Sequence, residues 1–414
     1  MRVLTLNTYD GKGGAARAAY RLHQELTARG LDTRMFVQKK TGNDPSVISP
    51  DTLLDKVKER IRVNMDSLPL RFYPKRNGTV WGASWIPHWI SPRIREFSPD
   101  IVHLHWITDG FIPVQEIARI DRPIIWTLHD MWPFTGGCHT AGGCTRYETW
   151  CGSCPQLGSS RQYDLTSWIL RRKWRHWNHS SLTFVAPSHW LGTCAQKSGL
   201  LSRHRIVVIP NGVDTNVFKP LPRDFARTAL NLPRDRPLIV FGAQNPFSDP
   251  NKGFSHLNAA MNYLNKKVSD RPEIVSFGTR PLSEPFDKPW KTHHLGQILS
   301  DLHLALIYSA GDLFVAPSIN ENLPNTVIEA LACGSPAVGF DAGGMPDLIS
   351  HRRNGYLARP YDTCDLAEGI LWLLDDKESR ADLKERARET AISTFDVRNV
   401  ARTYMDLYRS VMVG

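Results

Sequence analysis

The stretch Ser318–Pro336, SINENLPNTVIEALACGSP, decides how the rest of the chain is read. It follows Leu313–Ala316 (LFVA), a short unbroken apolar run of the kind buried on both faces of a parallel sheet. Pro317, Ser318 and Asn320 end that run in a loop. Asn325 is placed to cap a helix, Thr326 to Cys333 has the composition of a short apolar one, and Gly334 ahead of Pro336 stops it. A strand–loop–helix of this kind sets backbone N–H groups and the positive end of a helix at the carboxyl edge of a sheet, where anions bind.

Two glutamates, Glu321 and Glu329, frame this loop and helix. A carboxylate pair at such spacing is ordinarily a solvated face plus a cap. Glu329, however, is flanked by Val327, Ile328, Ala330 and Leu331, where a charge is costly without a partner, and this points to a polar ligand. The run from Glu321 onward also resembles the E-x7-E signature of the retaining GT-B glycosyltransferases of family 4, among them enzymes of polysaccharide and colanic-acid-type biosynthesis. Gly343, Gly344 and Pro346, then Asn354-Gly355, match that family's next strand and loop, so the resemblance spans Asp312 to Gly355.

The resemblance implies an α/β fold of GT-B type, two Rossmann-like parallel-sheet domains facing each other across a cleft. Residues 1–209 would form the acceptor-side domain, with a cysteine-rich insertion at 137–155. Residues 210–390 would form the nucleotide-sugar domain, and a last helix at 391–414 would cross back to the first.

Size and composition agree with two ordinary globular domains: 414 residues, 41% hydrophobic and 22% charged. Met1 to Leu6 reads as a first strand, too short and too soon polar for a signal peptide. No run approaches the roughly 18 apolar residues that span a bilayer. A cytoplasmic protein is expected, with room for peripheral attachment to a membrane. The net charge of +10 favours anionic partners such as nucleotide sugars or phospholipids, and no nucleic-acid recognition module is found.

At the amino end, Val3 to Asn7 reads as a strand, Asp10-Gly11-Lys12-Gly13-Gly14 as a tight turn, and Ala15 to Ala28 as a helix. G-K-G-G lacks the full dinucleotide fingerprint. In the family this loop closes over the donor diphosphate, a role that falls on Gly13 and Gly14. From Asp51 to Trp89 the chain is rich in basic and aromatic residues. One reading is a solvated amphipathic helix with a loop; the other is a patch that docks on anionic lipid, which Trp174 and Trp177 could extend. Ile101 to Leu104 and Ile124 to Leu128 read as buried strands leading into His103, His105 and His129. Of these, His129 matches the family's T-x-H-D histidine, which contacts the donor sugar.

Cys138, Cys144, Cys151 and Cys154 share a seventeen-residue window ending in C-x-x-C, a donor set that suits a tetrahedral structural zinc. Reduced thiols, a disulfide or an iron–sulfur cluster are the other readings. Leu182 to Pro187 reads as the last strand of the first domain, and Pro210 to Asp214 resembles the family's P-N-G-V-D segment. Leu238 to Phe241 opens the second sheet. Lys252, in Lys252-Gly253, matches the lysine that the family sets on the donor phosphates. The family's arginine a few residues earlier is missing here, and Arg280 is the nearest substitute. Gln297 and Ile298 occupy the place where the family's backbone reads the base.

No Asp-x-Asp occurs, so no catalytic metal or other cofactor is expected. The family reading gives a hexosyltransferase that uses a nucleotide-diphosphate sugar, UDP-glucose for example, and a glycan or lipid-linked acceptor. Glu329 would take the ribose hydroxyls and Glu321 those of the sugar ring. Asn322, Leu323, Pro324 and Asn325 would hold sugar and phosphate through the loop and helix start. The alternatives are a GT-B nucleotide-sugar epimerase and an inactive nucleotide-sugar-binding partner.

Overall fold

The apolar runs become parallel strands of two separate sheets. The computed structural model describes residues 1–50, 52–88, 90–178, 181–268, 271–281, 285–287, 289–375 and 379–413. The ends of the basic aromatic stretch, Asp51 and Trp89, and the last residue of the 391–414 segment lie outside the described residues.

The first sheet holds β1 (Arg2–Tyr9), β2 (Asp32–Lys39), β3 (Val47–Ile48), β4 (Ile101–Leu104), β5 (Ile124–Thr127), β6 (Leu182–Ala186) and β7 (Arg205–Val208), in the order β3-β2-β1-β4-β5-β6-β7. Between its strands run α1 (Gly14–Ala28), α2 (Leu53–Asp66), α3 (Ser91–Phe97), α4 (Val114–Ile117), α5 (Leu165–Trp177) and α6 (His189–Lys197). The segment read as the last strand of this domain, 182–187, is not its last. β7 pairs beyond it, from Thr183↔Arg205 to Ala186↔Val208. It is an edge strand with half-exposed faces, so it lacks the burial that made the other runs conspicuous.

The second sheet holds β8 (Leu238–Gly242), β9 (Glu273–Phe277), β10 (Thr292–His294), β11 (Leu313–Ala316), β12 (Ala337–Phe340) and β13 (Gly355–Ala358), in the order β10-β9-β8-β11-β12-β13. Its helices are α7 (Arg223–Ala229), α8 (Phe254–Leu264), α9 (Asp301–Ala310), α10 (Asn325–Ala332), α11 (Thr363–Asp375) and α12 (Ser379–Phe395), after which α13 (Val397–Val413) ends the chain. Val240 and Phe314 belong to one apolar cluster, and Ile239, Phe241, Leu313 and Val315 to another. The period of two thus fills both faces, as a parallel sheet requires.

The chain forms two compact units, Met1–Pro210 with the residues from Ala401 onward, and Asn211–Val400. Within the first, α13 lays Ala401, Tyr404 and Tyr408 inward at helical spacing. The Tyr408 hydroxyl meets His103 Nδ1 at 2.8 Å, and that of Tyr404 meets Thr127 Oγ1 at 2.8 Å. In the second, the buried Arg227 donates to Asp312 Oδ2 at 2.9 Å, and Asp312 also accepts from Leu238 N at 2.8 Å. One carboxylate therefore ties the starts of β8 and β11, and its hydrogen bonds offset the cost of burying the pair.

Each sheet is wound in two directions. The chain steps outward from β1 to β3 and resumes on the other side of β1 at β4; it does the same from β8 to β10 and then β11. The carboxyl ends of β1 and β4, and of β8 and β11, are therefore switch points, where open parallel sheets take ligands. Among the described residues no helix is long and apolar enough to cross a membrane.

Candidate functional site

The loops leaving β8 and β11 carry the residues singled out in the sequence. After β8 the chain reaches a short helical turn, Pro250–Lys252, started by Asp249, whose Oδ1 accepts from Asn251 N at 3.0 Å. Gly253 follows at φ 69°, and a Cβ there would lie 1.8 Å from the Pro317 carbonyl oxygen. Only glycine allows this loop to close on the one after β11. Ile319 N donates to Asn251 O at 2.9 Å across the junction.

On the other side Gly344 N donates to the Glu321 carbonyl at 3.0 Å, and a Cβ on Gly343 (φ 60°) would lie 2.4 Å from the same oxygen. The Glu321 loop is thus clamped between Asn251–Gly253 and Gly343–Gly344. That is the physical content of K-G and G-G in this chain.

Held this way, Lys252 Nζ donates to Glu321 Oε1, and both side chains are largely buried. Burial alone pulls the ammonium down, but the charge of Glu321 and its hydrogen bond carry Lys252 above its ordinary range. The pair lines a small recess together with Gly242, Ala243, Ser318 and Thr326.

α10 begins at Asn325, directly after Pro324 in the extended region (φ −66°, ψ 117°), with no side-chain cap. Asn325 is therefore not the cap expected from sequence. Proline, with its ring-fixed φ, holds that position, and the Asn325 side chain accepts from Asn211 Nδ2 at 3.1 Å, drawing the P-N-G segment to the helix start. Asn322 is half-buried, while Leu323 packs into the core.

Glu329 is 2% exposed and accepts from the Tyr308 hydroxyl at 3.0 Å. A protein hydroxyl thus meets part of the demand that the sequence reading assigned to a ligand. Glu329 is not among the residues lining the recess.

The neighbouring loops join the same edge of the sheet. Gly278 N donates to Gly296 O at 2.8 Å and Thr279 N to Gln244 O at 3.0 Å, which gathers the turns after β8, β9 and β10. Arg280 follows Thr279 and is exposed; Gln297 is exposed, and Ile298 packs half-buried against the core.

In the first unit β1 is followed by Asp10, whose carboxylate accepts from Thr41 N at 2.8 Å and Gly42 N at 2.7 Å. Gly13 (φ 90°) stands in the cap position of α1, and Gly14 is its first residue. β4 and β5 bring three imidazoles together. His105 Nδ1 lies 2.9 Å from His129 Nε2, and the His103 and His105 rings are 4.1 Å apart. Burial lowers His103 to about 3, His129 to about 4 and His105 well below its usual value, so all three are neutral at pH 7. Asp130, next to His129, is engaged by His139 Nδ1 at 2.6 Å and Trp106 Nε1 at 2.7 Å.

Comparison with known proteins follows this geometry. Residues 12–217 match the description Glycosyltransferase Family 4, and residues 223–390 match Glycosyl transferases group 1. The D-inositol 3-phosphate glycosyltransferase of Mycolicibacterium smegmatis is 30% identical over 405 residues, 90% of this chain and 82% of that protein. The chain belongs to the family 4 glycosyltransferases.

Its relatives also include the alpha-maltose-1-phosphate synthase of the same organism, 27% identical over 274 residues, 62% of this chain and 68% of that one. The sulfoquinovosyl transferase of Arabidopsis thaliana is 27% identical over 320 residues, 72% of this chain but only 55% of that protein. Among solved structures, sucrose-phosphate synthase from Thermosynechococcus elongatus superposes with a TM-score of 0.73 at 19% identity, covering 100% of both chains. Anabaena HepE in complex with UDP-glucose gives 0.65 at 18%, covering 99% of this chain and 100% of that one. These likenesses establish the GT-B fold.

In this glycosyltransferase Cys138, Cys144, Cys151 and Cys154 are free thiols, and among the described residues no three His, Cys, Asp or Glu side chains are grouped to hold a metal. Cys138 pairs through its backbone with Trp81, Cys144 and Cys151 pack with the main core, and Cys154 lies in a cluster with Leu70 and Leu157. Burial raises Cys138 to about 12 and Cys151 to about 11, and neighbouring cysteines of the four add to the rise.

Sequence reasoning passed over Tyr308, Thr326 and the clamping role of Gly343 and Gly344. The signal for Tyr308 was a phenol in the mostly apolar helix DLHLALIYSA, whose hydroxyl needs a partner when buried.

Proposed function

We propose that this glycosyltransferase moves a hexose from a UDP-sugar, UDP-glucose for example, to a growing polysaccharide or lipid-linked oligosaccharide, with retention of configuration and without a catalytic metal. The observation that carries the reading is the Lys252–Glu321 pair, clamped at the carboxyl ends of β8 and β11 beside a recess. The complexes of HepE with UDP and with UDP-glucose support the choice of donor.

In this reading the donor diphosphate competes with Glu321 for the Lys252 ammonium. Its arrival frees the carboxylate to accept from hydroxyls of the sugar ring. Lys252 and the amino end of α10, with the backbone of Asn322 to Asn325, offset the charge that grows on the leaving diphosphate. Arg280 adds a cation from the neighbouring turn, and Gly13-Gly14 close over the phosphates. Glu329 takes the ribose hydroxyls, Gln297 and Ile298 flank the base, and neutral His129 accepts from or donates to a sugar hydroxyl.

The bond from the anomeric carbon to the diphosphate oxygen breaks. The acceptor oxygen bonds to that carbon on the same face, and its proton passes to the departing phosphate oxygen. Glu321 orients the sugar and makes no covalent bond. The absence of Asp-x-Asp from the sequence agrees with charge supplied by lysine and helix in place of a metal. The relatives named above are transferases and synthases, which leaves the epimerase reading without support.

A panel of nucleotide sugars tests this, with thermal unfolding and release of nucleotide diphosphate as readouts. One donor at a hundred times its Kd is expected to stabilise the protein by about 2.7 kcal/mol, an effect lost in Glu329→Ala and Lys252→Ala. If no donor stabilises the protein, the proposal fails. An isomerised donor, or one bound and unchanged with every acceptor, also overturns it.

A further inference from the structure

The first unit carries a group of its own at the switch point between the carboxyl ends of β1 and β4. β1 ends in Tyr9, and Trp106 follows β4 by two residues. Both are half-buried, with ring centroids 6.1 Å apart and planes 25° from parallel. Each is fixed from several sides. The Trp106 amide donates to Asn7 Oδ1 at 2.8 Å, its carbonyl accepts from Thr8 N at 2.8 Å, and its indole Nε1 donates to Asp130 Oδ2 at 2.7 Å. The Tyr9 hydroxyl donates to Asp109 Oδ2 at 2.9 Å. Asp109 sits at φ 57°, in the left-handed region that few side chains enter, and its carbonyl accepts from the buried Gln38 at 3.3 Å. Two aromatic rings and a half-buried carboxylate are thus held in place before anything binds.

The charge around them runs against that of the chain. Net charge is +10, yet no lysine or arginine occurs from 105 to 118 or from 128 to 145, the stretches that leave β4 and β5 and carry Asp109, Glu116 and Asp130. Lys12 Nζ does approach to 5.5 Å from the Tyr9 ring centroid, but it belongs to the turn whose Gly13-Gly14 is proposed to close over the donor phosphates. Flat aromatic faces beside an acceptor-only carboxylate suit a ligand with an apolar C–H face and hydroxyl donors at its rim, and repel an anion.

We infer that Tyr9 and Trp106 seat the terminal sugar of the acceptor, a neutral pyranose ring, with Asp109 accepting from its hydroxyls. The inference rests on the transferase reading and names the class of its second substrate. A ring bearing phosphate or carboxylate at this place would meet Asp109 and Asp130, with no cation from either loop to offset it. A plain alkyl chain would use the aromatic faces and give Asp109 nothing to accept.

The test uses the full chain, UDP-glucose as donor, and octyl glycosides of three kinds: neutral hexosides, the matching uronides and the hexoside 6-phosphates. Saturation-transfer NMR reads their binding without turnover, and transfer kinetics give a KM for each substrate. Uronides and 6-phosphates are expected to bind about tenfold more weakly than neutral hexosides, or worse. Trp106→Leu and Tyr9→Leu keep apolar bulk but lose the flat face, and each should raise the acceptor KM about tenfold or more. Trp106→Phe and Tyr9→Phe keep a ring and should recover most of the affinity. In all four variants the midpoint shift given by UDP-glucose should be retained, which also shows that they fold. Asp109→Asn, which tolerates the same φ, should narrow the preference for neutral over phosphorylated rings. An acceptor KM unchanged in both leucine variants overturns the inference while donor stabilisation leaves the transferase reading standing. Equal binding of neutral and phosphorylated rings overturns it as well, as does a rise confined to the donor KM, which would give the rings to the donor sugar. Where no donor stabilises the protein, the transferase reading fails, and the NMR comparison of parent and leucine variants alone decides whether the rings seat a neutral sugar.

Discussion

Replacing Lys252 with alanine is expected to lower kcat by about 10²–10³-fold, the range seen when one preorganised donor to a developing anion is removed. The loss should fall on kcat more than on KM, since the diphosphate carries most charge once the sugar has begun to leave. The structure adds a second consequence. Lys252 holds Glu321 in a largely buried ion pair, and the variant leaves that carboxylate without its cation. Glu321→Gln, which keeps an acceptor but removes the charge, should also reduce turnover. Steady-state release of nucleotide diphosphate measures both. A Lys252→Ala enzyme with raised KM and unchanged kcat would assign the lysine to ground-state binding alone.

Much of this site could be read in advance because its signals are local. An apolar run followed by a proline-broken loop and a glycine-stopped helix can form only a few structures, and β11, its loop and α10 formed where that pattern put them. The glycines carried positional information too, since each marks a backbone approach that a Cβ would block, as at Gly253 and Gly343. The one local error, Asn325 as cap, came from two adjacent residues both suited to a helix start. Sequence does not say which of them the rest of the fold will pull on, and Asn211 decided it.

What sequence could not yield depends on distant partners. Glu329 looked unsatisfied because Tyr308 lies on another helix. The period of α2 revealed an amphipathic helix but not which face turns inward, and the usual assumption buries the apolar one. Here the backbone N–H groups around Trp85 offered Asp66 enough hydrogen bonds to reverse it. The imidazole group after β4 and β5 is the extreme case, because Tyr408 reaches His103 across 305 residues of sequence.

That imidazole group makes the first unit sensitive to acid. His103 is fully buried, with Nδ1 on the Tyr408 hydroxyl and Nε2 on Thr127 Oγ1 at 2.8 Å. The His105 ring lies 4.1 Å from it in a tilted arrangement, and among the described residues no carboxylate acts on either ring; Asp130 acts on His129. His23, buried between Thr33 and Ser46, is lowered to about 4 in the same way, with Asp44 opposing. All have folded values below the unfolded value of about 6.5. The unfolded chain therefore takes up protons first as pH falls, and their stabilising contribution, complete above pH 6.5, is lost toward the folded values of about 3 to 4. Each such histidine should remove about 1.4 kcal/mol per pH unit through that window, or about 2 kcal/mol between pH 6.5 and pH 5, before most carboxylates titrate. Urea unfolding followed by tryptophan fluorescence reads this in the right unit, since Trp126 Nε1 donates to the His105 carbonyl at 3.0 Å. His103→Gln should lower stability at neutral pH and flatten the acid slope by one histidine's share. A slope that is unchanged in His103→Gln would mean that the ring is hydrated or charged in the folded protein, and that the link from α13 to the sheet rests on the tyrosines' apolar contacts instead.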